Sequence, residues 1–232
     1  GGTIGSYKKD YLIEFHRELY RAFNLFYTPE GERRTGKFTL QGEQLTNETA
    51  MCRVIGLTLE TRPDCINPEQ IMLFRELGCT RVQIGVQHLD DDILRLVNRG
   101  CYTRHTIEAI RMLKDCCFKV DIHLMPDLPG STPEKDKAML QRMLDDHELQ
   151  VDDWKIYPCQ TVDYSEILNW FNTTMTDFKE FLLNEGVDFD DVSVTNDVLE
   201  EYYQDFINQA DSKKKKHYYV PYTHDFKKTD DG

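Results

Sequence analysis

Four short apolar runs recur along the first two thirds of the chain, and each stops at a polar residue or a proline. They are 54–59 (VIGLTL), 81–87 (RVQIGVQ), 118–124 (FKVDIHL) and 154–157 (WKIY). Between them the apolar period changes to that of a helix. Asn67-Pro68 starts one helix, with Asn as cap, Pro at the first position and Gln70 at the third; Ile71, Phe74 and Leu77 line it and Gly78 ends it. Asp90–Val97 is a second, acidic in its first turn, and Ile107, Ile110, Leu113 and Cys117 mark a third. Ser131-Thr132-Pro133 caps a fourth, carrying Met139, Leu140, Met143 and Leu144. Strand and helix thus alternate with no hairpin signal, which predicts an α/β fold with parallel strands and right-handed crossovers.

The flanks read differently. Ser6 caps an expected helix with Leu12, Phe15, Leu19, Ala22 and Phe26 on one face, residues 28–41 read as a loop, and a helix runs over 42–52. Beyond Tyr164 only helices are predicted, over 165–171, 176–183 and 196–207. Lys213–Lys216 begins an expected disordered tail.

Charge sharpens this division. The chain of 232 residues has a net charge of −13, but residues 145–210 hold 17 acidic side chains against 2 basic ones. The part before 145 is neutral. The domain organisation expected is therefore 1–160 as a partial barrel, 161–210 as an acidic helical extension and 211–232 as a basic tail. The acidic part repels a phosphate backbone, so nucleic acid must meet the neutral part or a partner surface. No apolar run approaches the roughly 20 residues of a membrane span, so no membrane partner is expected. The seven cysteines form no CxxC or CxxxC, which points to reduced thiols, a cytoplasmic setting and no metal ligands within this chain.

Chemistry gathers where the strands end. Glu60 and Arg62 follow the first run, ahead of Pro63, which cannot continue a ladder. Parallel α/β folds place ligands at that end of their strands. Each residue there also has an ordinary reading: Glu60 and Arg62 as an ion pair, Gln87 and His88 as satisfied surface groups, His123 as a packing histidine, Lys155 as a snorkelling side chain, and Cys116-Cys117 as packing. Position alone names no reaction.

Longer motifs do. GLTLETRPD, ELGCTRVQIGVQ, LVNRG, HLMPDLPGSTPEKD and DWKIYP, with GGT at the start and NETA at 47–50, resemble the catalytic subunit of the Elongator complex, a radical S-adenosylmethionine enzyme of tRNA wobble-uridine modification. The resemblance runs from Gly1 to about Pro158. It implies a partial radical-SAM (β/α) barrel using S-adenosylmethionine, a 4Fe-4S cluster and acetyl-CoA for a carboxymethyl-type transfer, with tRNA and other Elongator-type subunits as partners. It places Gly1, Gly2 and Thr3 beside the methionine amino group of the cofactor, where glycine lets the backbone approach a ligand. Glu60 and Arg62 suit its ribose hydroxyls, ammonium and carboxylate, and Gln87 adds a polar contact. His123, Asp127, Lys155 and Tyr157, assigned from strand position, line the mouth where uridine or the acyl donor approaches.

The sequence also departs from that pattern. The family's three cluster cysteines lie upstream of its GGT motif and are not in this chain, nor are the lysine associated with acetyl-CoA and the acetyltransferase-like domain. Cys101-Tyr102 stand where His-Thr is usual, and the pattern is lost after Cys159. Two readings follow: a fragment of the enzyme, or an Elongator-like scaffold that binds tRNA or protein without the chemistry.

Overall fold

The computed structural model describes residues 3–211 and 217–227. Gly1 and Gly2, and the lysine run 213–216 expected to be disordered, lie outside the described residues. Four strands form one sheet in the order β1-β2-β3-β4, every neighbouring pair parallel: β1 (Thr58–Thr61), β2 (Arg81–Gln87), β3 (Lys119–Leu124) and β4 (Asp153–Ile156). The helices between them are α3 (Pro68–Glu76), α4 (Asp91–Leu96), α5 (Thr103–Asp115) and α6 (Pro133–Asp145), preceded by α1 (Lys9–Leu25) and α2 (Leu40–Asn47). The alternation of apolar runs and helical segments therefore becomes the parallel sheet it predicts.

The first strand is displaced from its expected span. Residues 54–57 are held by side chains: Val54 N donates to Asn47 Oδ1 at 2.7 Å and Leu57 N to Thr80 Oγ1 at 3.1 Å. Ile55 is left almost fully exposed. The ladder begins at Thr58, so Glu60 lies inside β1, opposite Gln83, rather than beyond its end. The Asn67 cap forms as expected, Oδ1 accepting from Gln70 N at 3.0 Å.

In α1 the buried positions are Leu12, His16 and Tyr20, while Phe15 and Phe26 are exposed. His16 can be buried because its Nδ1–H donates to Leu12 O, 2.7 Å away. A histidine satisfied within its own helix displaces the phenylalanines that hydropathy alone puts inside. Ser6 does not cap α1 but belongs to a 3-10 turn, Ile4–Ser6.

By compactness the chain divides into two units, Gly1–Leu124 with Met139–Tyr157, and Met125–Ala138 with Pro158–Gly232. In the first unit one face of the sheet is apolar. Leu59, Val82, Ile84, Val86, Val120, Ile122 and Leu124 are buried there against Leu12, Phe74, Ile110, Leu113 and Met143. In the second, α7 (Glu166–Asn184) and α8 (Asn196–Asp211) enclose Phe178, Leu182, Leu199, Phe206 and Phe226. α7 is one helix where two were expected. The polar stretch is helical, and within it the Thr174 and Thr176 hydroxyls donate to the carbonyls of Trp170 and Asn172 at 2.7 and 2.8 Å. Within the expected tail, residues 217–227 contribute Phe226 to this core.

Candidate functional site

Side chains alternate across a strand, so the residues that skip the core share the opposite face of the sheet. On that face the register brings Glu60, Gln83 and Asp121 into one row, and Gly85, His123 and Lys155 into the next row toward the strand ends. In the lower row Asp121 is closed off by ion pairing. Asp121, buried, accepts from Arg81 Nη1 at 2.8 and 3.0 Å and from Gln83 at 3.3 Å. The upper row is open. Glu60 reaches His123, Oε1 to Nδ1 3.7 Å, and the Tyr157 ring stands edge-on to His123 at 6.1 Å.

Two polar atoms at this level are buried without a hydrogen-bond partner, Gln87 Oε1 and His123 Nε2. A buried unpaired acceptor costs about 1–3 kcal/mol, which a bound donor removes. The backbone aims one of them. Ladder register slips between Gly85 and Gln87, and Gln87 takes a left-handed conformation with φ of 72°. Gly85 makes room for what folds over it. A Cβ there would stand 2.9 Å from Arg99 Nη2 and 3.1 Å from Gln87 Nε2.

Arg99 was not singled out from sequence, where LVNRG reads as a turn. Positive φ at Asn98 and Gly100, 50° and 74°, returns it over β2, and its Nη2 donates to Gly85 O at 2.6 Å. Its Nε is buried and unpaired. The signal available in sequence was the asparagine and glycine flanking a single basic residue after a strand and a short helix.

The expected residues do not all meet. Glu60, Gln87, His123, Lys155 and Tyr157 belong to this face. Arg62 does not balance Glu60; it forms a two-pronged pair with Asp64, 2.9 and 2.7 Å, whose hydrogen bond raises the guanidinium's pKa. Burial disfavours ionised Asp64, but the same pair outweighs it and holds the carboxyl below its usual range. Thr3 precedes the 3-10 turn and its carbonyl accepts from Ser6 N at 3.1 Å. Gly5 in that turn lies beside Thr61 Oγ1 and Gln70 Oε1, both buried and unpaired. His88 is buried, with Nδ1 accepting from Asp90 N at 2.9 Å.

Asp127 belongs to the second unit and its carboxylate is taken. It accepts from Tyr222 N at 2.8 Å and from Thr223 N and Oγ1 at 3.2 and 2.7 Å, and its carbonyl accepts from Tyr219 Oη at 2.6 Å. Burial pushes its carboxyl pKa up against those bonds. Neighbouring Asp136 accepts from Asp127 N and from Ser131 and Tyr222 hydroxyls.

Among the described residues no group of three or more His, Cys, Asp or Glu could hold a metal, and all seven cysteines are free. The donor set for an iron–sulfur cluster is thus not found among the described residues. The upper row does fit a polar organic ligand, through the unpaired atoms of Gln87, His123 and Arg99.

A parallel strand-helix sheet with a polar face gathered at its strand ends defines a partial β/α barrel. The model of the Radical SAM superfamily matches residues 28–143, and the chain belongs to that superfamily. It is 37% identical over 171 residues to the tRNA uridine(34) acetyltransferase of Dehalococcoides mccartyi, covering 74% of this chain and 35% of the relative. It is 30% identical over 188 residues to Elongator complex protein 3 of Saccharomyces cerevisiae, covering 81% and 32%. Among solved structures, the archaeal Methanocaldococcus infernus Elp3 with an N-terminal deletion superposes with a TM-score of 0.67 at 37% identity, over 73% of this chain and 38% of that one. The chain spans about a third of the length of these curated relatives. No helix among the described residues is long and apolar enough to cross a membrane.

Proposed function

We propose that this chain is the cofactor-holding part of a radical S-adenosylmethionine enzyme that modifies the wobble uridine of tRNA, with acetyl-CoA as acyl donor. The observation that carries it is the pair of buried, unpaired polar atoms folded over Gly85, Gln87 Oε1 and Arg99 Nε, on the polar face that holds Glu60. S-adenosylmethionine presents ribose hydroxyls and an ammonium as donors and a carboxylate as acceptor. Glu60 and Gln87 suit the donors, and Arg99 suits the carboxylate. The Gly1-Gly2-Thr3 motif is assigned to the methionine end by the resemblance alone. Arg62 acts indirectly, by fixing the turn after β1 through Asp64.

When bound, the cofactor supplies radical chemistry on one-electron reduction. No step is routed through the cluster, whose ligands are not among the described residues. The chain's own contribution is to bind and orient, with the apolar opposite face keeping the sheet rigid. His123, Lys155 and Tyr157 face the substrate side. The reading also places the protein in the cytoplasm, with tRNA and other Elongator-type subunits as partners. Equilibrium dialysis of radiolabelled S-adenosylmethionine against the 232-residue chain tests it. Saturable binding displaced by S-adenosylhomocysteine is expected, and no saturable binding contradicts it.

A further inference from the structure

We propose that Lys155 and Tyr157 form a nucleotide-selective subsite on β4, separate from the cofactor groups on β1 and β2. The inference rests on the reading above for the location of the cofactor and deepens it by dividing the site. Gly85, His123 and Lys155 are register partners on β2, β3 and β4. Neighbouring strands lie about 4.8 Å apart, so Lys155 starts about 10 Å from the backbone over which Arg99 and Gln87 fold. His123 stands between the two groups.

Each member of the β4 group carries a separate capability. Trp154 packs toward the core, so alternation sends Lys155 to the polar face, where it is half-buried and makes no hydrogen bond or ion pair among the described residues. An ammonium held there is suited to an anionic oxygen. Tyr157 continues the strand, its N donating to Leu124 O at 3.0 Å; the residue is 56% exposed and its ring stands edge-on to His123. An exposed ring face offers a base a stacking surface. His123 Nε2, buried and unpaired, is left to accept from a hydroxyl or a ring N–H. Lys155 and Tyr157 lie two residues apart on one strand, about 7 Å along it, a separation suited to phosphate and base of one nucleotide. Charge, ring face and acceptor together match a nucleotide rather than a simple carboxylate.

The test is calorimetric titration of the 232-residue chain with uridine 5′-monophosphate, with uridine, and separately with S-adenosylmethionine. Wild type should bind the monophosphate more tightly than uridine. Lys155→Met should remove that preference, and Tyr157→Leu should weaken both by about fivefold or more. Lys155→Arg and Tyr157→Phe, which keep the charge and the ring, should stay near wild type. S-adenosylmethionine binding should be unchanged in all four. Monophosphate affinity unaltered by Lys155→Met and Tyr157→Leu, a wild type that does not distinguish monophosphate from uridine, or a loss falling on S-adenosylmethionine instead would each overturn the subsite. Monophosphate binding with the expected variant pattern but no S-adenosylmethionine binding would uphold the subsite and overturn the cofactor reading.

Discussion

Glu60 and Asp127 look alike in sequence, each an acidic residue at the close of a parallel strand, yet the fold uses them in opposite ways. Asp127 is 2% exposed, and its carboxylate accepts three hydrogen bonds from Tyr222 and Thr223. Glu60 keeps 42% of its side chain exposed and has a loose contact with His123 at 3.7 Å. A carboxylate saturated by its own chain stabilises a fold; one that is left with spare acceptor capacity on a polar face is available to a ligand. Position at a strand end therefore does not separate the two. Unspent hydrogen-bonding capacity does, and it makes Glu60 the candidate for binding.

That contrast can be broken by substitution, beginning with the largest effect. Asp127→Ala strands three donors and should lower the stability of the second unit by about 3 kcal/mol, read as an earlier urea transition. S-adenosylmethionine affinity should be retained at concentrations where the protein stays folded. A variant as stable as wild type would remove Asp127 from the structural class.

Asp152 is a saturated carboxylate in the first unit. Burial opposes its charge, but hydrogen bonds from Lys114, Val120 N and Lys119 outweigh this and hold it well below the usual range. A depressed folded-state pKa contributes stability above the unfolded value, near 3.9, that is lost as pH falls through the folded one. Asp152→Asn should therefore cost about 1 kcal/mol at pH 7, and the difference should shrink steadily below pH 4. A gap independent of pH would mean the ion contacts carry none of it.

Gly85→Ala acts on the binding class. The added Cβ meets the side-chain ends of Arg99 and Gln87 rather than backbone, so the fold should lose only about 1 kcal/mol, while S-adenosylmethionine affinity drops about tenfold or more. Unchanged affinity would take Arg99 and Gln87 out of the site.

Much of this architecture was legible in the chain. The four strand regions, the Asn67 cap and the helices between them follow from period and punctuation, because the core face of each element is nearly all apolar. Misplacements occur where side chains take up backbone bonding or burial: Asn47 and Thr80 hold the segment before β1, and His16 rotates the buried face of α1. The motifs around 57–64 and 81–87 located the candidate face, but not how its members divide. Arg62 was paired in sequence with Glu60 and in space with Asp64. Arg99 emerged only from the backbone turn that carries it over Gly85. Side-chain partnerships, whether two residues apart like Arg62 and Asp64 or fourteen like Arg99 and Gly85, leave no hydropathy period, so pattern reading cannot supply them.

The central claim is that the polar face holding Glu60 is where S-adenosylmethionine binds. Anaerobic calorimetric titration of wild type and Glu60→Gln with S-adenosylmethionine tests it most directly. Glutamine keeps the shape and removes the charge, so stability should change by less than about 0.5 kcal/mol. Affinity should fall about 10- to 100-fold, the worth of a charged hydrogen bond of about 1.5–3 kcal/mol. Equal affinity in the two proteins would contradict this and leave Glu60 with its loose contact to His123 alone.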